Sequence, residues 1–194
     1  VVVVSGGKPV MFYTMQMLVS PGDEVILPDP SFPIYASCIR FSGGIPVPVT
    51  LKEENGFHFD LAALRSRITP RTKLLILNSP SNPTGSVLSE ADLAGIADIL
   101  REHPDIYILS DEIYDRLVFD RPVAPSIAAI PDMKDRTIIL NGFSKTYAMT
   151  GWRLGYGIMN EALAQLMELL VVNTNSCAAS FSQIAAVDAL TGPQ

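Results

Sequence analysis

Seven short apolar stretches, rich in Val, Ile and Leu, alternate along this sequence with stretches of helical spacing. Each apolar stretch is bounded by Gly, Pro or Asp, a pattern typical of strands buried on both faces of a sheet. The pattern predicts strands over Val1–Val4, Glu24–Leu27, Ile45–Val49, Leu74–Asn78, Ile106–Ser110, Thr137–Asn141 and Leu154–Ile158. It predicts helices over Pro9–Val19, Phe32–Phe41, Leu61–Arg67, Ser89–Glu102, Glu161–Leu170 and Ser180–Leu190. The alternation predicts an α/β fold, in which a mostly parallel seven-stranded sheet carries helices on both faces in three α/β/α layers.

Composition narrows the class of protein. The 194 residues are 48% hydrophobic and carry 14 Lys+Arg against 20 Asp+Glu, for a net charge of −6. This apolar content excludes intrinsic disorder, and the acidic balance argues against a general nucleic-acid or anionic-membrane binder, which needs a basic face. No apolar run approaches the ~20 residues that cross a bilayer. Cys38 and Cys177 are too far apart for a CxxC motif, so we expect a cytoplasmic setting and no metal site.

Both ends of the sequence look like internal points of a longer chain. Val1–Val4 reads as a buried strand without a lead-in, and it lacks the basic start and length of a signal peptide. We therefore expect one domain over residues 1–194, as a fragment of a longer protein. Its functional loops are expected at the carboxyl ends of the strands, where open α/β sheets bind ligands.

Two loops after predicted strands carry candidate ligand groups. Gly6 and Gly7 precede the first helix, so backbone N–H groups and the helix dipole can hold an anion there. The alternative is a plain tight turn with Lys8 exposed. Asp111 follows a buried strand and can pair with a cationic ring nitrogen, with Tyr114 close enough to reach the same ligand. The alternative is that Asp111 or Ser110 caps a helix and Glu112 is solvated.

A third loop follows the strand Thr137–Asn141 and carries Lys145 and Arg153, eight residues apart. Lys145 lies among apolar and small residues, so we expect it to be partly desolvated. A lysine desolvated beside another cation is a usable amine nucleophile, and the arginine fork matches the geometry of a phosphate. The alternative is a lysine whose stem covers apolar surface and an arginine in a surface salt bridge.

Five motifs resemble, in order, those of the class I/II aminotransferases, which are fold-type-I pyridoxal-phosphate enzymes. They are Ser5-Gly6-Gly7-Lys8, Pro21-Gly22-Asp23-Glu24-Val25, Ser81-Asn82-Pro83-Thr84-Gly85, Ser110-Asp111-Glu112-Ile113-Tyr114 and Ser144-Lys145-x-x-x-Met149-Thr150-Gly151-Trp152-Arg153. The resemblance covers essentially the whole chain. It implies the large, cofactor-binding domain of such an enzyme.

The resemblance implies three catalytic residues. Lys145 would form a Schiff base with pyridoxal 5′-phosphate and then move a proton between the substrate Cα and the cofactor C4′. Asp111 would pair with the protonated ring nitrogen and so keep the ring an electron sink. Tyr114 would hydrogen-bond the 3′-oxygen of the ring.

The cofactor-binding residues implied by the resemblance form a larger set. Asn82 would share the ring 3′-oxygen with Tyr114. Phe32 would stack on the ring, at a position where many relatives carry Trp or Tyr. The phosphate would be held by Arg153, Ser144 and the backbone of Gly6, Gly7 and Lys8.

The implied activity is transfer of an amino group from a 2-amino acid to a 2-oxo acid, by a homodimer. Relatives are longer, with a small domain built from both chain ends that supplies the arginine for the substrate carboxylate, and no stretch of this sequence corresponds to it. Three alternatives remain open. They are a pyridoxal-phosphate lyase on the same fold, an aminotransferase-like sensing domain of a transcription regulator, and a structural α/β domain.

Overall fold

Strands and helices alternate along most of the chain, as the apolar pattern predicts. In the computed structural model, which describes residues 1–193, strands β1 to β7 are Val2–Val4, Glu24–Asp29, Ile45–Thr50, Thr72–Asn78, Tyr107–Asp111, Thr137–Gly142 and Gly155–Ile158. Helices α1 to α6 are Lys8–Leu18, Ile34–Phe41, Leu61–Arg67, Glu90–Arg101, Glu161–Asn175 and Ser180–Thr191. All thirteen predicted elements are present. The largest difference is that α5 continues to Asn175 instead of ending at Leu170.

The strands form one sheet in the order β1-β7-β6-β5-β4-β2-β3. The pairs β2·β3, β2·β4, β4·β5 and β5·β6 are parallel, whereas β7 is antiparallel to both of its neighbours. The predicted mostly parallel seven-stranded sheet is therefore confirmed. Within residues 1–193, no helix is both long and apolar enough to cross a membrane.

Alternate side chains of the central strands face opposite helical layers. In β4, Leu74 and Ile76 belong to the core beneath α1, α2 and α5, and Leu75 and Leu77 belong to the core beneath α3 and α4. All four are at most 1% exposed. Full burial of such a side chain contributes about 1.5–3 kcal/mol, so the sheet is held from both sides and the three-layer arrangement is confirmed. A smaller third cluster comprises Phe143, Leu154, Ala178 and Ala186.

The start of α4 shows how local sequence fixes a helix boundary. The Ser89 hydroxyl accepts a hydrogen bond from the Asp92 amide (3.1 Å), and the Asp92 carboxylate accepts one from the Ser89 amide (2.8 Å). This reciprocal capping satisfies two backbone donors that the helix itself leaves unpaired. The Asp92 carboxylate also hydrogen-bonds His58 Nδ1 (2.7 Å), which joins the cap to a loop 34 residues earlier in the chain.

Candidate active site

The carboxyl ends of β4, β5 and β6 and the first turn of α1 surround a pocket of about 400 Å³. The residues of the predicted site that line it are Gly7, Lys8, Phe32, Asn82, Asp111, Tyr114, Ser144, Lys145 and Arg153. Gly6 is the one predicted site residue that does not line the pocket. It packs against the Arg153 guanidinium so closely that a Cβ atom at Gly6 would collide with it. The fold thus brings together residues that are up to 147 positions apart in the sequence.

Asp111 is the last residue of β5 and is 5% exposed, because β5 lies between β4 and β6. Its Oδ2 accepts a hydrogen bond from the Tyr35 hydroxyl (2.7 Å), and its Oδ1 accepts a long one from the Ile113 amide (3.3 Å). Burial raises the pKa of Asp111 to about 6, and the two hydrogen bonds oppose that rise. The alternative of a helix cap is wrong, because the residues that follow form turns instead of a helix.

Lys145 lies in a turn just after β6. Its Nζ is 5.8 Å from the centroid of the Tyr114 ring, which also lines the pocket. The expectation of a partly desolvated lysine is wrong for this structure. Lys145 is exposed, because the turn lies beyond the end of the buried strand, where solvent reaches it.

The rim of the pocket near α1 is suited to an anion. Gly7 precedes α1 and no side chain caps the helix. Pro9 has no N–H and the Val10 amide donates to the Gly7 carbonyl (3.1 Å), so the Lys8 amide is the donor of the first turn that is left for an anion. The Arg153 guanidinium lies against Gly6 and donates to the Thr150 carbonyl (2.8 Å). Within residues 1–193 no carboxylate pairs with Arg153, so the salt-bridge alternative does not describe this structure.

The backbone of Arg153 itself is unusual. Its φ of 53° lies in the left-handed region, which a residue with a long side chain rarely adopts. Such a conformation costs on the order of 1–3 kcal/mol and persists where the surrounding structure imposes it. Here it directs the chain from the short helical turn Thr150–Trp152 into β7 while the guanidinium stays at the pocket.

Phe32 provides a flat apolar wall on one side of the pocket and Ile113 lines it as well. The Phe32 ring is half-buried and meets the Tyr35 ring edge-on, at 5.9 Å between centroids and 87° between planes. Lys8 Nζ lies 5.6 Å from the centroid of the same ring.

Sequence reasoning missed six residues that line the pocket. They are Met11, Tyr35, Asn78, Ile113, Leu140 and Thr150. Asn78 ends β4, and its side-chain amide donates to the Asp111 carbonyl (3.1 Å). A polar residue at the end of an apolar strand was the available signal for Asn78, and Ile113 stands inside a quoted motif. Tyr35 gave no such signal, because an aromatic residue on an apolar helix face looks like ordinary core.

Comparison with known proteins identifies the family. The family model for aminotransferase class I and II matches residues 1–194, so the chain belongs to that family. It is 43% identical to the probable aspartate/prephenate aminotransferase of Rickettsia bellii, in an alignment that covers 100% of this chain and 49% of that protein. The resemblance inferred from the motifs is therefore confirmed. The chain spans about half the length of the curated relatives it matches.

Solved structures agree with this assignment. The fold matches the crystal structure of the aspartate aminotransferase from Rhizobium meliloti with a TM-score of 0.95 and 39% identity, over 99% of this chain and 48% of that one. It matches the aromatic aminotransferase of Pyrococcus horikoshii with a TM-score of 0.93 and 39% identity, over 97% of this chain and 50% of that one.

Proposed function

We propose that this chain is the cofactor-binding domain of a pyridoxal-phosphate-dependent aminotransferase. The observation that carries the proposal is Asp111, a buried carboxylate that lines the same pocket as the Lys145 amine and the uncapped start of α1. Among residues 1–193 no cation pairs with Asp111, and burial without a cation is costly for a carboxylate. A ligand with a positively charged ring and an anionic tail would satisfy both ends of the pocket.

Pyridoxal phosphate has these groups, and when bound it supplies an aldehyde that condenses with amines and a protonated ring that accepts electrons. Asp111 would hold the proton on the ring nitrogen by charge pairing. Phe32 would stack on one face of the ring, and Asn82 and Tyr114 would hydrogen-bond its 3′-oxygen. The phosphate would be held by Arg153, Ser144 and the backbone amides of Gly6, Gly7 and Lys8.

Lys145 would act twice in this proposal. Its Nζ would be the amine that holds the cofactor before substrate arrives. Once the substrate amine has taken that place, Lys145 Nζ would carry a proton from the substrate Cα to the cofactor C4′. An exposed lysine beside the Tyr114 ring is free to make both movements, since no carboxylate among residues 1–193 holds its ammonium group.

The rest of the active site would come from the half of the relatives' length that this chain does not span. We propose that the full-length protein is a homodimer, and that its other half supplies a small domain with the arginine for the substrate carboxylate. Aspartate is the amino donor to test first, because two of the three relatives named above carry aspartate in their names.

Reduction with borohydride tests the attachment site. Full-length protein is mixed with pyridoxal phosphate, reduced, digested and analysed by mass spectrometry, with Lys145→Ala as the variant and Lys8→Ala as the control. We expect the label on the peptide that contains Lys145, and no label in Lys145→Ala. A label on Lys8 or Lys73 would contradict the assignment.

Product analysis with aspartate separates the remaining alternatives. One oxaloacetate per cofactor, with no free ammonia, supports an aminotransferase. Ammonia release or loss of a side-chain or carboxyl fragment indicates a lyase on the same fold. Tight cofactor binding without conversion of any amino acid indicates a sensing domain.

A further inference from the structure

Tyr35 contacts two residues proposed to meet the cofactor, Asp111 and Phe32. It lies at the start of α2 and is 0% exposed. Its hydroxyl donates to Asp111 Oδ2 at 2.7 Å. Its ring meets the Phe32 ring edge-on, and its backbone amide donates to the Phe32 carbonyl at 3.1 Å. Tyr35 thus joins the carboxylate at the end of β5 to the aromatic wall of the pocket.

The Tyr35 hydroxyl affects the charge state of Asp111 in addition to packing in the core. Burial and the neighbouring Asp111 charge raise the pKa of Tyr35 well above its ordinary value, so this group stays protonated and remains a donor. A donor to a carboxylate stabilises the ionised form, and the Tyr35 hydrogen bond opposes the effect of burial on the pKa of Asp111. Within residues 1–193 no other side chain hydrogen-bonds the Asp111 carboxylate.

The hydrogen bond also decides which oxygen of Asp111 meets a ligand. Oδ2 is engaged by Tyr35, whereas Oδ1 has only the long bond from the Ile113 amide. Oδ1 is therefore the oxygen with acceptor capacity left for a ligand. An edge-to-face aromatic contact likewise limits rotation of the Phe32 ring, so the planar wall and the free oxygen are fixed by the same residue.

We propose that Tyr35 is a positioning residue for the cofactor: it holds Asp111 ionised with Oδ1 free, and it holds Phe32 flat against the pocket. This inference rests on the proposed function, since it concerns the ring nitrogen that Asp111 would meet. Loss of the hydroxyl would favour the neutral carboxylic acid, and the proton would then move from the ring nitrogen to Asp111.

The effect of the Tyr35 hydroxyl on Asp111 has to be separated from the effects of the other ionisable groups nearby. The other ionisable groups that line the pocket are Lys8, Tyr114, Lys145 and Arg153. The adjacent Glu112 is buried and turned away, with its Oε1 accepting from the hydroxyls of Ser110 (2.8 Å) and Ser126 (2.6 Å).

The test compares Tyr35→Phe with Tyr13→Phe in the full-length protein. Tyr13 is a matched control, because it is also buried in the same core and its hydroxyl bonds Thr174, away from the pocket. We expect Tyr35→Phe to weaken pyridoxal phosphate binding tenfold or more, as expected for loss of a hydrogen bond to a charged group. We expect Tyr13→Phe to bind as the wild type does.

A spectroscopic titration gives a readout that loss of packing would not move. The visible absorption band of the cofactor-loaded protein changes as the nitrogen attached at Lys145 loses its proton. A positive ring nearby lowers the pH at which this happens, so Tyr35→Phe is expected to raise the midpoint by about one pH unit, a tenfold change in the equilibrium. Tyr35→His keeps an N–H donor, so its midpoint is expected to return most of the way to the wild-type value.

The outcomes separate the two proposals. If wild-type protein neither binds pyridoxal phosphate nor develops the band, the proposed function fails. If wild type binds and Tyr35→Phe has the same affinity and midpoint, the role of Tyr35 is wrong. If Tyr35→Phe does not fold, Tyr35→His decides: a wild-type midpoint supports the donor role, and a midpoint raised by about one pH unit, a tenfold shift, overturns it.

Discussion

The backbone amide of Asn82 donates a 2.7 Å hydrogen bond to the side-chain oxygen of Asn78. Asn78 is 7% exposed, and its side-chain NH₂ group also donates to the Asp111 carbonyl. One amide side chain thus fixes the loop that carries Asn82 and the strand end that carries Asp111. Two residues expected to meet different parts of the cofactor ring are therefore positioned relative to each other by a third residue that need not touch the ring.

Asn78→Ala is expected to destabilise the protein by about 1–3 kcal/mol, because it leaves the part-buried Asn82 amide without its acceptor. It also removes one of two donors to the Asp111 carbonyl, which keeps the Ser79 amide (3.3 Å). Denaturant unfolding at pH 7 measures the loss. The control is Asn173→Ala, at an exposed position on α5 where the side chain bonds only its own helix. Equal stability of the two variants would show that the Asn78 bonds contribute nothing measurable.

Asp111→Asn is expected to stabilise the cofactor-free protein at pH 8. The native protein holds a proton on Asp111 up to about pH 6, whereas the unfolded chain releases it near 3.8, so ionisation at neutral pH favours unfolding. The 2-unit difference in pKa corresponds to a destabilisation of the native protein by roughly 3 kcal/mol. This destabilisation is present above pH 6 and disappears as the pH falls towards 4. Unfolding curves at pH 8 and pH 4 measure it, with exposed Asp105→Asn as the control.

Asp111→Asn is expected to lower activity, although it stabilises the cofactor-free protein at pH 8. In the full-length protein Asp111→Asn removes the charge that would hold the ring proton, and loss of one such group costs about 100- to 1000-fold in turnover. A variant that is both less stable at pH 8 and fully active would refute the burial argument and the charge-pairing argument together.

Gly155→Ala is expected to displace the loop at Gly6 and Gly7. A Cβ at Gly155 would lie 2.6 Å from the Gly7 nitrogen and 2.7 Å from the Gly6 carbonyl carbon, and these backbone atoms have no room to move aside. Overpacking of this kind costs about 1–3 kcal/mol, and we expect a weaker affinity for inorganic phosphate and for pyridoxal phosphate as well. Equilibrium dialysis and thermal unfolding measure these effects.

Gly151→Ala is the matched control, because a Cβ there would meet no atom within 4 Å. It lies in the same segment, four residues before Gly155. If Gly155→Ala and Gly151→Ala bind phosphate equally well, the close approach of β7 does not set the shape of the loop.

Residues 1–194 expressed alone are expected to bind pyridoxal phosphate weakly and to catalyse no amino transfer. The pocket is lined by the groups proposed to contact the ring and the phosphate, but the chain spans only half the length of its relatives. Without a group that orients the substrate, a barrier contribution of about 7–11 kcal/mol is lost. The measurement is the absorbance change with aspartate, glutamate, alanine or phenylalanine, and rapid conversion by any of them would contradict the proposal.

Much of the fold follows from local pattern, and the exceptions have physical causes. Runs such as Leu74–Asn78 are apolar on both faces because both faces are covered, so their strand character is visible without the structure. The reversal of β7 is not visible in its own residues. It follows from the connection between β6 and β7, which lacks the long helix that a parallel crossover needs.

The pocket likewise contains some residues that the sequence predicts and others that it does not. Asp111, Lys145 and Arg153 were predictable because charged groups next to apolar strands call for an explanation. Tyr35 was not, since its hydroxyl acts through a partner 76 positions away and its ring looks like core. Exposure of Lys145 was not predictable either, because it depends on how far the turn after β6 extends from the sheet.

The pairing of β1 sets the order in which the loop at Gly6 and Gly7 can be completed. Among residues 1–193, Val2–Val4 pairs only with β7, and the next residues form the loop that Gly155 contacts. During synthesis on the ribosome, Val2–Val4 therefore has no sheet partner among residues 1–193 until residues 155–158 have been made. The parallel strands between them in the sequence can assemble earlier. The loop takes its final shape only when residues 155–158 pair with Val2–Val4.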